Sequence, residues 1–407
     1  MGGIAALGVA YVLSQFYRSF MAVLTPALTV ELGATKADLS LASGAWFAAF
    51  ALLQFVVGVS LDKYGPKVTA AVMLAVCGGG GALVFGLATA PWMIVVAMAL
   101  LGAGCAPVLM AGMFIFAHSY PPARLAVMTS WLIAFGSAGN VAGTSPLAAA
   151  AEAFGWRHVM FGVAAVSLLT GLALMVLVRD PEIARDPRAS VGFYGFVEAL
   201  RLRKLWPMIP LVGMNYAPSV GILGLWAGPY LTDVYGANSL LIGHVTLFMA
   251  IAVVAGSLIY GPLDTIFGTR KWVAIAGNAG SVLVVAFLAL FPDSGVVRVT
   301  VALVLIGLFG ASYALIMAHA RAFLPRHLMG RGITLLNFFS MGTVGIMQFL
   351  TGAVATAATV PGKPVMAYSA LFGFYALMLG LAVVIYLFSQ DARPEGMAPG
   401  TLRPGRR

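Results

Sequence analysis

Charged residues are scarce in this sequence. Only 9% of its 407 residues are charged and 61% are hydrophobic, whereas about 25% of the residues in a soluble domain carry a charge. The mean hydropathy is +0.99. Apolar runs continue over about 20 residues without polar alternation, which excludes a transmembrane β-barrel. The composition therefore predicts an all-α membrane protein with many spanning helices.

Cysteine is almost absent. Cys77 and Cys105 both lie inside apolar stretches and lack metal-ligand spacing, which excludes a disulfide framework and a cysteine-based metal site. The sequence also lacks a nucleophile–base pair, a His-Glu-x-x-His motif and a phosphate-binding loop. We therefore expect no enzyme activity and no cofactor. No basic patch lies on a soluble domain, so nucleic acid is not an expected partner.

Acidic residues are missing from the middle of every apolar stretch. All 13 lie near the ends of these stretches or between them, so the buried Asp or Glu that carries protons in many transporters is not visible. The remaining candidates for a proton carrier are Glu31, Asp233 and His244. Each of them has an alternative interpretation as a structural residue near the membrane surface. We expect weak proton coupling, or coupling through one of these three groups.

Twelve stretches are long enough to span a bilayer, and no basic segment precedes the first as in a cleavable signal peptide. The polar stretch 179–205 predicts a cytoplasmic linker with an amphipathic helix on the membrane surface, and the Pro-, Gly- and Arg-rich tail 391–407 predicts disorder. The predicted spans are 4–30, 41–61, 68–89, 92–117, 125–148, 157–178, 206–232, 239–262, 271–291, 295–317, 330–355 and 366–388.

The distribution of Lys and Arg predicts the orientation. Apart from Arg18, 18 basic residues fall on one side of the predicted membrane, and only Lys36, Arg157, Arg298 and Lys363 fall on the other. Cytoplasmic loops carry the excess of basic residues. The sequence thus predicts a multi-pass protein of the bacterial inner membrane with both termini in the cytoplasm. We expect a monomer in the lipid bilayer.

The two halves of the chain repeat each other. Pro26-Ala-Leu-Thr followed by Gly33 recurs as Pro229-Tyr-Leu-Thr followed by Gly236, at an offset of 203 residues. The same offset relates Gly139 to Gly342. Parallel repeats related by an axis along the membrane normal occur in transporters, with a site between the halves. We predict six-helix bundles over 1–178 and 206–390.

The segment between the second and third spans, Gly58 to Lys67 (GVSLDKYGPK), resembles motif A of the major facilitator superfamily. A degenerate second copy runs from Gly261 to Lys271 with one extra residue. The resemblance implies a twelve-span fold, transport by alternating access and a gating role for this loop. The implied gating residues are Gly58, Asp62, Gly65, Lys67, Asp264 and Arg270.

Two further motifs bear on this resemblance. Gly136, Gly139, Gly143 and Pro146 in the fifth span resemble a diverged motif C, whose small residues permit close helix packing. The fourth span carries Met98 where motif B has an Arg four residues before a Gly. The arginine that the family links to proton coupling is therefore missing.

Arg18 lies one position from the middle of the first span. A charge at mid-membrane costs about 2.5–3.5 kcal/mol on insertion scales, so it faces a bundle interior or a cavity. Tyr11, Ser14, Arg18 and Thr25 share one helical face. An unpaired arginine there favours carboxylate or phosphate binding, and the pair Tyr17-Arg18 also resembles the anion–cation symporter branch, in which a span-one Arg contacts the substrate's carboxylate.

We predict a secondary transporter of a small organic anion. Polar residues of other spans that face the same cavity are candidates for contacts to the substrate. The predicted substrate-binding residues are Tyr11, Ser14, Tyr17, Arg18, Asn140, Asn215, Ser219, Trp226 and Asn337.

Four alternatives stay open. Arg18 can instead be neutralised by carbonyls or hydroxyls and serve packing. Met110, Met113, His244 and Met249 offer soft ligands for Cu(I) import, although methionine in apolar helices is more commonly core filler. Tryptophan and tyrosine residues suit an aromatic solute such as a flavin. A nontransporting membrane sensor is the fourth alternative.

Overall fold

A computed structural model describes residues 2–181, 194–325 and 328–392, and these residues are helical without a β-strand. Helices correspond to all twelve predicted spans, which confirms the fold class. Their bounds are Gly2–Ser19 and Met21–Leu32 (span 1), Lys36–Tyr64 (2), Pro66–Gly86 (3), Pro91–Cys105 and Val108–Ser119 (4), Pro122–Ala142 and Ser145–Phe154 (5), Trp156–Leu177 (6), Ile209–Tyr235 (7), Ser239–Phe267 (8), Arg270–Leu290 (9), Val296–Gly310 and Tyr313–Arg321 (10), Met329–Ala357 (11) and Pro364–Tyr386 (12).

Most of these helices suit a bilayer by length and composition. Among the described residues, 10 helices are long and apolar enough to cross a membrane, and span 1 makes 11 if its two bent helices count as one. Span 5 is not among them, and its apolar portion is the shorter helix Trp131–Ala142. A short helix, Tyr194–Leu200, lies within the stretch 179–205, whose residues 182–193 lie outside the described part.

Span 1 is not the single helix predicted over 4–30. It bends by 52° between Ser19 and Met21. The Ser19 hydroxyl lies within hydrogen-bond distance of the carbonyls of Gln15 and Phe16, and also of Asn140 in span 5. A serine that bonds back to its own helix bends that helix. Because of the bend, the second half of span 1 no longer continues the face that carries Arg18.

The sequence repeat is matched by local geometry at the ends of spans 1 and 7. Gly33 (φ 67°, ψ 23°) and Gly236 (φ 63°, ψ 28°) are both left-handed C-caps. The Gly33 N–H points to the carbonyls of Leu28 and Thr29, and the Gly236 N–H to those of Leu231 and Thr232. Only glycine adopts this conformation without strain, so these two glycines end their helices in the same way.

A second matched pair defines the face of the molecule that we call the terminal face. Asp180, directly after span 6, accepts a hydrogen bond from the Lys67 backbone N–H at the start of span 3 (2.8 Å). Asp391, after span 12, accepts one from the Lys271 N–H in the first turn of span 9 (3.0 Å). Each carboxylate lies at the positive end of a helix, where a negative charge is stabilised. Asp391 is thus held in place, although the disordered tail was predicted to begin there; residues 393–407 lie outside the described part.

The other end of the helices we call the opposite face. It contains the Glu31–Arg157 ion pair (2.5 Å) within the first six spans and the Lys36–Asp233 ion pair (2.7 Å) between the two groups of six. Spans 1 and 2 pack there against spans 7, 8 and 11.

Candidate functional site

The Arg18 guanidinium lies against two aromatic rings of span 2. Its Cζ atom is 5.3 Å from the centroid of the Trp46 ring and 5.0 Å from that of the Phe50 ring. The two rings stack, with centroids 5.2 Å apart and an interplanar angle of 13°. Because residues four apart lie on one side of a helix, span 2 presents both rings to Arg18 as a continuous aromatic wall.

This wall explains how the membrane interior accommodates the charge. Each cation–π contact contributes up to about 2 kcal/mol in a desolvated site. Two such contacts are of the same order as the roughly 2.5–3.5 kcal/mol that an arginine costs at mid-membrane. The aromatic wall therefore stabilises the guanidinium without using any of its N–H groups.

Arg18 has no carboxylate partner among the residues that the structure describes. Carboxylates of the described part pair instead with other bases, among them Lys36, Arg157 and Arg270. The Arg18 Nε atom is buried and has no acceptor, although a buried donor normally finds one. The site thus offers hydrogen-bond donors and one positive charge to an anion.

Tyr313 of the second bundle lies near this cation and contacts two further residues of its own bundle. Tyr313 of span 10 donates a hydrogen bond to Asn337 Oδ1 of span 11 (3.0 Å), and the rings of Tyr313 and Tyr216 lie 5.3 Å apart. All three side chains are half-buried. Tyr313 and Tyr11 each lie within electrostatic range of Arg18. The Asn337 amide keeps its N–H donors, and both tyrosine oxygens can accept.

The structure brings together three of the nine predicted substrate-binding residues, namely Tyr11, Arg18 and Asn337. Tyr17 instead bonds the Ser167 hydroxyl of span 6 (2.8 Å), inside the first bundle. Ser14 is buried beside Cys105. The Asn140 contact with span 1 uses its backbone carbonyl, which accepts from the Ser19 hydroxyl.

The predicted stripe of span 7 lies elsewhere. The Asn215 amide donates to Asn278 and Ser312 of the second bundle (both 2.8 Å). Ser219 packs against Gly310, also in that bundle. Trp226 Nε1 bonds Gln348 and Thr351 of span 11 (both 3.0 Å), on the opposite-face side.

Four residues of the site were not among the predicted substrate-binding residues, namely Trp46, Phe50, Tyr216 and Tyr313, although Trp46 is one of the tryptophans considered for an aromatic solute. The pair Trp46 and Phe50 has helical spacing, but aromatic side chains at this spacing are common in any packed helix. Tyr216 follows directly after the predicted Asn215, and one residue rotates a helix by about 100°. The polar neighbour therefore turns into its own bundle while the tyrosine faces the cation.

The bundles approach closely between Arg18 and the opposite face. A Cβ atom added to Gly224 of span 7 would overlap the Arg18 carbonyl oxygen, and one added to Gly228 would overlap that of Ala22. The Gln348 side chain of span 11 donates to the Ser43 hydroxyl of span 2 (2.9 Å). Small residues permit such close helix packing. This half of the interface is therefore closed.

The terminal halves of spans 4 and 10 are arranged differently. Val108–Ser119 of span 4 packs mainly against spans 1, 3 and 5, and Tyr313–Arg321 of span 10 packs mainly against spans 7, 8, 9 and 11. Their main packing partners are thus in their own bundles. Spans 2 and 11 remain in contact on this side too, where the rings of Phe55 and Phe338 lie 5.0 Å apart.

The predicted gating loop lies at the terminal face. Gly65 has a positive φ of 87°, and the Asp180 carboxylate occupies the space where a Cβ would be. Lys67 contributes its backbone N–H to Asp180. A Cβ on Gly58 would meet nothing within 4 Å. Asp62 lies in the last turn of span 2, and its side chain lies outside the described part.

The second copy of the loop differs in geometry. Asp264 accepts from Arg270 Nε in an ion pair of 3.0 Å. Gly268 has φ 65° and ψ 20° as a helix C-cap, whereas Gly65 has ψ 159°. The extra residue in this copy accounts for the difference, because it extends the end of span 8 before the chain turns.

The soft ligands considered for Cu(I) differ in their surroundings. Met113 and His244 are exposed, whereas Met249 is fully buried. In the described part of the chain, no group of three or more His, Cys, Asp or Glu residues is arranged to hold a metal ion.

The structure thus places a half-buried cation among two similar six-helix bundles that are joined by a closed half-interface. The model of the Major Facilitator Superfamily matches residues 7–236 and 210–404. The chain belongs to this superfamily and is a multi-pass secondary transporter, not an enzyme.

Two curated relatives are transporters of organic solutes. The chain is 24% identical to the hexuronate transporter of Escherichia coli K12 over 412 residues, which cover 93% of this chain and 90% of that protein. It is 22% identical to a probable sulfoacetate transporter of Cupriavidus necator over 307 residues, which cover 70% and 71% of the two chains.

Solved structures share the fold at low sequence identity. A bacterial homologue of the human lysosomal transporter Spinster, in an inward-facing and occupied conformation, aligns with a TM-score of 0.71 and 19% identity over 95% of this chain and 96% of that one. The nucleoside transporter NupG aligns with 0.73 and 15% over 95% and 99%. The D-xylose–proton symporter aligns with 0.74 and 12% over 95% and 97%.

Proposed function

We propose that the transported substrate is a small organic anion whose charged group binds Arg18. The observation that carries this proposal is the guanidinium held by two rings, which has no carboxylate partner among the described residues and whose buried Nε has no acceptor there. The planar fork of an arginine matches a carboxylate, and the charge also suits a sulfonate. The curated relatives are named for hexuronate and for sulfoacetate, and both names denote organic anions.

The neutral part of the substrate lies against Tyr313 and Asn337 in this proposal. Their hydroxyl and amide groups donate and accept hydrogen bonds, and they lie on the second bundle, whereas Arg18 belongs to the first. A substrate that contacts both would favour closure of the two bundles around it, as alternating access requires.

We infer the orientation from the distribution of basic residues. The terminal face, with Lys63, Lys67, Arg270 and Lys271, is the cytoplasmic one, because cytoplasmic loops carry the excess of positive charge. The closed opposite half then corresponds to an inward-facing state in the bacterial inner membrane. We expect the protein to act as a monomer.

The test is a thermal-shift series on the purified full chain with hexuronate, sulfoacetate, a flavin and Cu(I). A ligand that binds only the folded state raises the unfolding temperature as its concentration exceeds Kd. We expect stabilisation by an organic anion in the wild-type protein and its loss in Arg18→Gln. Stabilisation by Cu(I) or flavin alone, or by an anion in both proteins, would reject the proposed site.

A further inference from the structure

An ion pair that joins the two bundles lies outside the substrate site. Lys36 Nζ of span 2 is 2.7 Å from Asp233 Oδ2 of span 7, and both side chains are only partly exposed, at 24% and 31%. The same Oδ2 atom accepts a hydrogen bond from the Tyr368 hydroxyl of span 12 (2.6 Å). Lys36 Nζ also lies 4.9 Å from the centroid of the Tyr368 ring.

Neither charge is explained by its own helix. Lys36 is the first residue of span 2, at the positive end of the helix dipole. Asp233 lies two residues before the end of span 7, at the negative end. Each charge is therefore disfavoured by the helix that carries it. Asp38 provides the contrast, because it accepts from the Thr35 N–H (2.9 Å) and so caps the same helix favourably.

The internal repeat does not explain the pair either. At the offset of 203 residues, Asp233 corresponds to Val30 and Lys36 corresponds to Ser239. The symmetry-related positions therefore carry no charge, and Val30 is 85% exposed. The bundle repeat therefore does not require an ion pair here, since only one of the two equivalent positions has one.

Two other ion pairs at helix ends each remain within one bundle. Glu31 pairs with Arg157 in the first bundle, and Asp264 pairs with Arg270 in the second. Rigid-body motion of the bundles leaves such pairs intact. The same motion would separate Lys36 from Asp233, whereas Tyr368 would stay with Asp233 because both belong to the second bundle.

We propose that Lys36, Asp233 and Tyr368 form an outer latch that sets the equilibrium between the states closed and open at the opposite face. Lys36 and Asp233 attract each other only in the closed state, and both charges become unfavourable helix-end charges when the bundles separate. Tyr368 is a positioning residue that orients the Asp233 carboxylate toward Lys36. The proposal rests on alternating access, and it does not depend on the identity of the substrate.

The experiment measures the distance across the opposite face without substrate. Spin labels at Val30→Cys and Val297→Cys, both exposed at this face, report the separation of the bundles in the full chain reconstituted in nanodiscs. Cys77→Ala and Cys105→Ala remove the native thiols from every variant. Lys36→Gln, Asp233→Asn and the exchange Lys36→Asp with Asp233→Lys are compared with this background.

We expect each single variant to raise the ratio of open to closed protein about fivefold, which is the upper range for a single ion pair near the surface. The charge exchange should bring the ratio back toward the background, because it restores the attraction. The recovery should be incomplete, since the exchanged charges lie at favourable helix ends and no longer disfavour the open state. Tyr368→Phe should give a smaller increase. Lys363→Gln and Asp293→Asn, which remove exposed charges at the same face, serve as matched controls and should change nothing.

Unchanged distance distributions in both single variants would overturn the latch, and so would a charge exchange that stays open. If one single variant fails to elute as a folded protein, the other single variant and Tyr368→Phe decide, and unchanged distances in both would overturn the latch. The labels report bundle separation in the absence of ligand. A failure of anion binding at Arg18 therefore leaves the measured distances unaffected. Either proposal can be rejected without the other.

Discussion

Arg18 is the residue on which the proposed anionic substrate rests. In the described part of the chain, no carboxylate lies beside this charge. Its Cζ atom is 5.3 Å from the centroid of the Trp46 ring and 5.0 Å from that of the Phe50 ring. The faces of aromatic rings attract a cation, but they leave the N–H groups in the plane of the guanidinium without a hydrogen-bond acceptor. The residue is therefore stabilised and still able to bind an anion.

Arg18→Lys keeps the positive charge but loses the planar fork, and Arg18→Gln loses the charge as well. We expect Arg18→Lys to weaken anion binding by at least about tenfold, because hydrogen bonds to charged groups contribute about 1.5–3 kcal/mol. Arg18→Gln should abolish binding with a similar or slightly higher unfolding temperature, since a costly unpaired charge is gone. Isothermal titration and thermal unfolding measure these two effects.

Arg298→Gln is the matched control, because Arg298 is exposed and lies at the opposite face. Its anion affinity should equal that of the wild type. Loss of folding in Arg18→Gln, or normal transport in Arg18→Lys, would assign Arg18 to packing and remove the main argument for an anionic substrate.

Asp391 gives a prediction about pH. Partial burial raises the pKa of its carboxyl, but hydrogen bonds from the Thr269 hydroxyl and the Lys271 N–H outweigh this effect and hold the pKa below its usual range. A carboxyl whose folded pKa is lowered contributes stability above its unfolded pKa of about 3.9, and this contribution is lost as the pH falls through the folded pKa.

Asp391→Asn should therefore lower the unfolding temperature at pH 6 and 7, and the difference from the wild type should shrink as the pH falls below about 4. Thermal unfolding of both proteins across this range measures the difference. A gap that stays constant down to acid pH would show that the carboxylate charge is not what holds span 12 to span 9.

At the scale of the helices, the gating loop between spans 2 and 3 is the feature that the family resemblance emphasises. Gly65 is at a positive φ against Asp180, so the turn requires glycine there. Asp180 and Asp391 cap the third span of each bundle from the end of the sixth. These caps couple each loop to the end of its own bundle, so a bundle moves with its loop.

Asp62→Asn tests the gating role that the resemblance implies. We expect folding and membrane insertion to be intact and the transport rate to fall, because Asn keeps the shape of the side chain while the charge is lost. Uptake by proteoliposomes measures the rate. Unchanged kinetics would contradict a gating role of Asp62. Asp38→Asn is not a suitable control, because Asp38 caps span 2.

At the scale of the whole molecule, the closed half depends on glycines at the bundle interface. Gly224 lies against the Arg18 backbone, and Gly44 of span 2 lies against Phe349 of span 11. Methyl groups at such positions force the helices apart. The tight interface is therefore specific to the state that is closed at the opposite face.

Gly224→Ala should shift the protein toward the state open at the opposite face, since its new Cβ overlaps the Arg18 carbonyl oxygen only while the bundles touch. The spin-label distance between positions 30 and 297 measures the shift. Gly261→Ala is the control, because a Cβ there meets nothing within 4 Å. An equal response in the two variants would mean that helix propensity, rather than bundle contact, causes the change.

The sequence by itself determined the helical spans, the repeat and Arg18. Each of these follows from a local pattern: continuous apolar runs predict membrane helices, identical turn motifs at a fixed offset predict equivalent ends, and a lone charge in an apolar run predicts a solvated site. Gly33 and Gly236 end their helices identically because the residues around them alone dictate this turn.

The tertiary structure alone decided which side chains meet Arg18. Asn215 and Tyr216 are adjacent in sequence, but only the rotation of span 7 against its neighbours turns the amide to Asn278 and the ring to Tyr313. The pairing of Lys36 with Asp233 likewise joins residues almost 200 positions apart. Periodicity gives the faces of a helix, whereas the face that a neighbour covers depends on packing between helices, and no local pattern encodes that contact.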